Sequence, residues 1–368
     1  MKSIESQLST RQFQENVDRE LGAIFGSAIA DAVGAGYEFS NGVESDLIPE
    51  IGPIGGGSFN WEPGQWTDDT EQAIALLEAL RHSSINNVSH AAKNILDWYA
   101  SDPIDIGITT RNVLQTAFKD NQINQTEAVE ACFTSARNYA NEKDYDCLHD
   151  SPFITTVQGC GSLMRLSSCA LLSSKDEAEQ WAVATSMITH GSVHVTDLAS
   201  ALGQIIWNAS RLNGYSIYSI FDGVFDHLDE ELKANWTGLT TQNYNNDSEL
   251  NDIYDLETLI RFNGTAPGAL ACALSAIIHT TEIWGDYRFN YTQWFVSCIQ
   301  YIVSQGGDTD SVAAIAGSIA GALVGYKHLP ILWLHVLHGF DYDGNSLDED
   351  DLIKLATQAI QATRSTKV

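Results

Sequence analysis

Apolar residues recur along this chain at the spacing of a helix face and almost nowhere at the alternation of a strand. In ELGAIFGSAIADAV, Leu21, Ile24, Phe25, Ala28, Ile29 and Val33 share one face. SKDEAEQWAVATSMITH predicts a helix with Ser174 and Glu177 as its capping box. In TDLASALGQIIWNASRLNG the stripe is Leu198, Leu202, Ile205, Ala209 and Leu212, with Thr196 as the expected cap and Gly214 as the expected C′ residue. DSVAAIAGSIAGALVGY differs from these. Its larger residues, Val312, Ile315, Ile319 and Leu323, are separated almost entirely by Ala, Gly and Ser. Small residues on every side let several neighbours approach closely, so this helix is expected at the centre of a bundle. No regular strand–helix alternation supports a doubly wound α/β fold, and there is no repeat of solenoid length. The most polar stretch, residues 228–256, reads as a surface excursion. The expected fold is all-α: a polar N-terminal extension at 1–20, then a single compact helical domain at 21–368.

Composition narrows the partners. A hydrophobic share of 44% in 368 residues supports a substantial core. The net charge is −29, with no long basic stretch. Nucleic acids and anionic membranes are therefore poor partners, because their phosphates need Lys and Arg to displace counterions. A phosphorylated small molecule is still accessible if bound cations supply the positive charge. The six cysteines (132, 147, 160, 169, 272, 298) form no C-x-x-C pair, so neither a zinc ribbon nor a redox motif is expected. The first 20 residues lack the apolar core of a secretory signal, and no uninterrupted apolar stretch of transmembrane length stands out. The simplest placement is a reducing cytoplasm.

Two acidic clusters carry the candidate chemistry. WTDDTEQA places Asp68 and Asp69 ahead of the apolar run Ala73, Leu77, Leu80. On its own this is a helix start, with Asp68 as N-cap and Glu71 at N3 of a capping box. QGGDTDSVAAIAG places Asp308, Thr309, Asp310 and Ser311 at the start of the small-residue helix, after a flexible approach through Gly306 and Gly307. Acidic residues also suit a helix N-terminus electrostatically. If the two starts meet, however, Asp68, Asp69, Asp308 and Asp310 crowd together and need compensating charge. Hard divalent cations with oxygen ligands supply it. With no Cys/His cluster, Mg²⁺ or Mn²⁺ is favoured over zinc, and the Thr67 and Ser311 hydroxyls can complete the shells.

Five segments in order resemble the ADP-ribosylglycohydrolase family, which includes the dinitrogenase reductase-activating glycohydrolases. They are GSAIADAVGAGYEF (26–39), WTDDTEQA (66–73), PIDIGITTR (103–111), GCGSLMR (159–165) with ITHG (188–191), and GGDTDSVAAIAGSIAGA (306–322). The resemblance implies an all-α fold with two Mg²⁺ or Mn²⁺ ions in a cleft. Carried over by motif, the metal ligands are Thr67, Asp68, Asp69, Asp308, Asp310 and Ser311. Glu38, Asp69 and Asp308 are the catalytic candidates. Asp105 and Gly107 match ribose-contacting positions, Gly159, Cys160, Gly161 and Ser162 match the loop that approaches the phosphates, and His190 is a further substrate contact. Cys160 departs from the pattern, since the family usually has Asn there.

The implied reaction is hydrolysis at C1″ of ADP-ribose by a metal-positioned water, through an oxocarbenium-like transition state. The implied partners are an ADP-ribosylated protein, with arginine as the first choice of linkage, or a small molecule containing ADP-ribose. A non-catalytic or blocking immunity protein against an ADP-ribosylating toxin is the alternative. A terpenoid-synthase-like Mg²⁺ enzyme is a weaker one, because the Glu expected one turn beyond Asp310–Ser311 is replaced by alanines. Arg165 is expected to anchor a buried carboxylate rather than touch substrate.

Overall fold

The computed structural model describes residues 4–82, 88–119, 125–143, 158–212, 216–241 and 260–365. In chain order its helices are α1 (Ile4–Gly34), α2 (Asp68–His82), α3 (Val88–Ala100), α4 (Ile108–Lys119), α5 (Gln125–Lys143), α6 (Lys175–Ser186), α7 (Val193–Ser210) and α8 (Glu230–Thr240). After these come α9 (Ala266–Trp284), α10 (Tyr291–Gln305), α11 (Thr309–Val324), the single turn α12 (Ile331–Leu334) and α13 (Glu349–Ser365). A two-stranded antiparallel ribbon, β1 (His338–Phe340) and β2 (Ser346–Asp348), precedes α13. The fold is all-α, as the periodicity predicts.

The small-residue helix α11 is the axis of the bundle. Every one of its residues is buried, and α1, α7, α9 and α10 surround it. Its closest partner is α1, and glycines are the reason. A Cβ at Gly321 would sit 2.0 Å from the Gly22 carbonyl oxygen, and one at Gly317 would sit 2.3 Å from that of Gly26. Gly22 and Gly26 meet the same backbone from the other side. The two backbones therefore touch, and neither helix can add a methyl group without separating them. Gly321→Ala should lower stability by about 3 kcal/mol, the upper range for overpacking, as a shift of the urea midpoint at unchanged m-value would show.

Around this axis, α6 packs on α7, α2 and α4 flank the layer formed with α3 and α5, and α13 lies on α2. Helix α1 runs without a break from the polar N-terminal segment into the apolar stretch. Its buried Glu20 pairs with Arg211 and Arg364, each at 2.6 Å, tying α1 to the ends of α7 and α13.

Several local expectations are corrected. Ser174 does accept from the Glu177 N–H at 3.1 Å, but the Glu177 carboxylate reaches back to the Ser173 N–H instead of that of Ser174. Helix α7 begins at Val193, three residues before Thr196, because burying Val195 extends the helix upstream; the Thr196 hydroxyl donates to the Val193 carbonyl. Gly214 and Cys147 lie outside the described residues. Within 228–256, Asp229 caps α8, and the buried Trp236 stacks on Phe225, so this part is packed helix; residues 242–256 lie outside the description. Helix α9 is long and apolar enough to cross a membrane, contrary to the sequence expectation, yet most of it is buried as a core helix.

Candidate metal and substrate cleft

The starts of α2 and α11 do meet, at the last turns of α1. Gly34 makes this possible, since a Cβ there would lie 2.5 Å from the Asp310 Cα. The Thr309 hydroxyl donates to the Gly34 carbonyl at 2.8 Å and fixes the junction.

Asp31 of α1 organises the start of α2. It is fully buried and accepts from the backbone N–H groups of Thr67 and Thr70 and from the Thr70 hydroxyl. The cap of α2 is thus shared between the Thr67 hydroxyl, which accepts from the Asp69 N–H at 3.3 Å, and Asp31 from another helix. The expected capping box does not form. Asp68 is the first residue of the helix, and the Glu71 carboxylate accepts from the Trp98 indole at 2.7 Å. Thr67 Oγ1 lies 2.9 Å from Asp31 Oδ1 and 3.2 Å from Asp69 Oδ2, so one hydroxyl proton is shared between two carboxylates.

The approach to α11 is held, not flexible. Gly306 and Gly307 have φ of +82° and +76° and are packed against Gly42 and Asn263 respectively. Asn263 accepts from the Asp308 N–H at 3.2 Å and donates to the Gly306 carbonyl at 3.1 Å. The Phe39 N–H donates to the Gly307 carbonyl at 2.7 Å, which brings the neighbouring Glu38 over the start of α11.

The result is two overlapping groups of acids. Asp31, Asp69 and Asp310 present carboxylate oxygens within 4.8 Å of one another, as do Glu38, Asp308 and Asp310. Asp310 belongs to both. Burial, then mutual repulsion, pushes Asp68, Asp69 and Asp310 well above the ordinary carboxylate range. Glu38 is pushed up to about 9, by burial first and then by Asp105 and Asp308. Asp31 rises to about 6 by burial, moderated by its hydrogen bonds from Thr70 and Thr67. Two of these oxygens, Asp69 Oδ1 and Glu38 Oε2, are buried with no hydrogen-bond partner. An all-oxygen donor set with unsatisfied anionic oxygens fits hard divalent cations. Ser311 Oγ, 3.5 Å from Asp69 Oδ2, adds a neutral oxygen.

A cleft of about 400 Å³ opens onto these acids. Its lining includes Glu38, Asp68, Asp69, Asp105, Gly107, Gly159, Cys160, Gly161, His190, Asp308, Asp310 and Ser311. Thr67 stays behind the carboxylates. Ser162 is turned into the core, where its hydroxyl accepts from that of Ser186 at 2.8 Å, and it is not among the lining residues. Gly159 pairs with Thr265 and its N–H donates to the Thr109 hydroxyl at 3.4 Å. Gly161 has no room for a side chain, since a Cβ would lie 2.9 Å from Thr110 Oγ1 and 3.4 Å from His190 Cε1. The Cys160 thiol donates to Asp308 Oδ2 at 3.2 Å. Burial and then Asp308 push its pKa well up, so it is a poor nucleophile.

Arg165 is fully buried but bonds no carboxylate directly among the described residues. Its guanidinium donates to Gln72 Oε1 at 2.6 Å, and Gln72 Nε2 in turn donates to Asp68 Oδ2 at 2.9 Å. The expected anchor therefore works through an amide. Sequence reasoning missed Asp31, Gln72 and Asn263. Asp31 had a signal: it is the one charge inside the small and apolar run AIADAVG. Gln72 and Asn263 act only through contacts distant in sequence and had none. Phe39 and Ile108, which lie within two of the quoted motifs but have no expected role there, and Tyr139, which lies in none, add apolar walls.

The family model described as ADP-ribosylglycohydrolase matches residues 12–367. The ADP-ribosyl-[dinitrogen reductase] glycohydrolase of Rhodospirillum rubrum is 26% identical over 330 residues, spanning 87% of this chain and 90% of that protein. The ADP-ribosylarginine hydrolase Tri1 of Serratia proteamaculans is 26% identical over 332 residues, spanning 88% of this chain and 76% of that protein. A solved structure titled ADP-ribosylglycohydrolase-related protein complex shares the fold, with a TM-score of 0.63 and 24% identity over 95% of this chain and 99% of its own. By a family match across nearly its whole length, the chain belongs to the ADP-ribosylglycohydrolase family.

Proposed function

We propose that this enzyme, a hydrolase that removes ADP-ribose, depends on divalent metal held in the acidic cleft and acts first on ADP-ribosylated arginine. The observation that carries the reading is the pair of acidic groups sharing Asp310, with two oxygens left unsatisfied. Arginine is preferred because the relatives described above include an ADP-ribosylarginine hydrolase. The charge of the cleft agrees with it: a cationic guanidinium suits a mouth edged by Glu38 and Asp105.

Asp31, Asp69, Asp308, Asp310 and Glu38, with Asp68, Thr67 and Ser311 beside them, would hold two Mg²⁺ or Mn²⁺. When bound, such ions supply charge neutralisation, a grip on vicinal hydroxyls and a water of lowered pKa. The protein groups do the rest. Asp105 accepts a ribose hydroxyl hydrogen bond beside Gly107, where the open backbone lets the sugar approach. Glu38, at the edge of the acidic group, would take the proton of the attacking water once bound cations offset the burial and neighbouring charges that keep its carboxyl protonated. Gly159 and Gly161 keep the loop flat enough for a diphosphate, and His190 faces it from behind. Phe39, Ile108 and Tyr139 line the mouth of the cleft with apolar surface on which the substrate can pack. A cytoplasmic site of action is part of the same proposal, as is an ADP-ribosylating toxin as the source of the modified protein.

The test is release of ADP-ribose from arginine-, serine- and O-acetyl-linked substrates and from poly(ADP-ribose), with Mg²⁺, Mn²⁺ or EDTA. The arginine conjugate should be cleaved fastest and only with metal. Equal turnover in EDTA would overturn the metal reading, and faster serine cleavage the linkage. Cys160→Ala should keep kcat within about threefold, because the thiol supplies one weak hydrogen bond and no chemistry. Steady-state kinetics check this, and a collapse of kcat with metal binding intact would place Cys160 in the reaction.

A further inference from the structure

Behind the cleft, one buried cation connects the acidic groups to the histidine. Arg165 has no exposed surface. On one side Nη1 donates to Gln72 Oε1 at 2.6 Å. On the other, Nη2 donates to the Thr185 carbonyl at 2.9 Å and to the Thr189 hydroxyl at 2.8 Å. Thr189 Oγ1 lies 2.8 Å from His190 Nδ1. His190 Nε2 is buried and makes no hydrogen bond of normal geometry, and the ring faces the Gly159 backbone carbonyl and Gly161 at the wall of the cleft.

Donor chemistry fixes the direction of the bonds made by the guanidinium. A guanidinium only donates. Gln72 must therefore turn its carbonyl to Arg165, which leaves its NH₂ for Asp68. Thr189 must accept from Arg165, and among the described residues the acceptor recorded for its single proton is His190 Nδ1. A hydroxyl that donates to Nδ1 makes Nδ1 the acceptor, so the ring proton of the neutral imidazole resides on Nε2.

We infer that Arg165 is a positioning residue that fixes the Nε2–H tautomer of His190 through Thr189, aiming a neutral hydrogen-bond donor at an anionic oxygen of the substrate. This rests on reading the cleft as an ADP-ribose site. Burial first and then the nearby guanidinium hold the imidazole down at about 3, against the Gly159 backbone carbonyl that raises it, in agreement with a neutral ring. A neutral donor grips a phosphate oxygen without a charged imidazolium competing for the neighbouring carboxylates. Through Gln72 the same guanidinium also orients Asp68, so one residue sets hydrogen-bond polarity on two walls of the cleft.

The test is long-range ¹H–¹⁵N correlation on [¹⁵N]histidine-labelled protein, free of metal and substrate, alongside steady-state kinetics. Wild type and Arg165→Lys, which keeps a donor-only side chain, should show the Nε2–H tautomer. Thr189→Val removes the relay hydroxyl and leaves the fold's size and shape at that position. It should populate the Nδ1–H tautomer and raise KM about tenfold, the effect of one hydrogen bond to a charged group, with kcat nearly kept. Arg165→Gln should do the same, since an amide can accept from Thr189; if that variant does not fold, Thr189→Val decides. An Nδ1–H tautomer in the wild type, or an unchanged tautomer and KM in Thr189→Val, would overturn the inference. Absence of turnover by wild type on every ADP-ribose substrate would instead defeat the functional reading and leave the tautomer measurement standing.

Discussion

Asp69→Asn protein should release ADP-ribose at least about a thousandfold more slowly than wild type, a loss of roughly 4 kcal/mol of transition-state stabilisation. In EDTA the same protein should melt at a higher temperature. Both follow from one geometry. Asp69 is buried beside Asp31 and Asp310, with one oxygen unsatisfied. In the metal-free state its charge costs free energy, because burial and the neighbouring acids oppose ionisation. An amide of the same shape removes that cost, and with it an anionic ligand. Melting curves with and without Mg²⁺ should cross over: wild type gains from the ion by mass action, and the variant much less. A variant that is less stable in EDTA, or that keeps full activity, would show that these acids serve packing alone.

The metal-free protein should also lose stability as pH rises between about pH 5 and pH 9. The carboxyls of Asp31, Glu71 and Glu38 are raised from 3.8, 4.5 and 4.5 to about 6, 7 and 9. Each folded value lies above the unfolded one, so in that window the folded state holds more protons. The stabilisation by protonation is full below the unfolded values and is lost as pH passes the folded ones. Saturating Mg²⁺ should reverse the slope at the acid end, since cations and protons compete for the same oxygens. Thermal melts across this range in EDTA and in Mg²⁺ measure both slopes. A melting temperature in EDTA that climbs steadily with pH would contradict the account of the acidic cluster.

The two predictions depend on residues that were legible to different degrees. Asp68, Asp69, Asp308 and Asp310 stood out because each pair opens an apolar helix, and that pattern lies within a few residues. Glu38, Asp105, Gly159 and His190 drew notice through the family motifs, and the cleft gathers all four. Asp31 was passed over inside its apolar run, although it touches both threonines of the α2 motif. The expected Asp68–Glu71 box was a sound local inference that lost to better partners: Asp31 and the Thr67 hydroxyl cap the helix, which leaves Glu71 free to bond Trp98.

The sequence alone determined that the chain is helical, that α11 lies at the centre, and that carboxylates stand at the starts of two core helices. Those features are periodic or compositional, and a window of about 18 residues contains them. Only the tertiary structure decided that the two starts meet, that Gly22, Gly26, Gly317 and Gly321 bring α1 against α11, and that Asp31 and Glu38 complete the acidic groups. The contact of Ser311 with Asp69 spans 242 positions. No local propensity encodes a contact at that separation; it forms because both helices dock on α1, α11 through the facing glycines and Gly34, and α2 through Asp31.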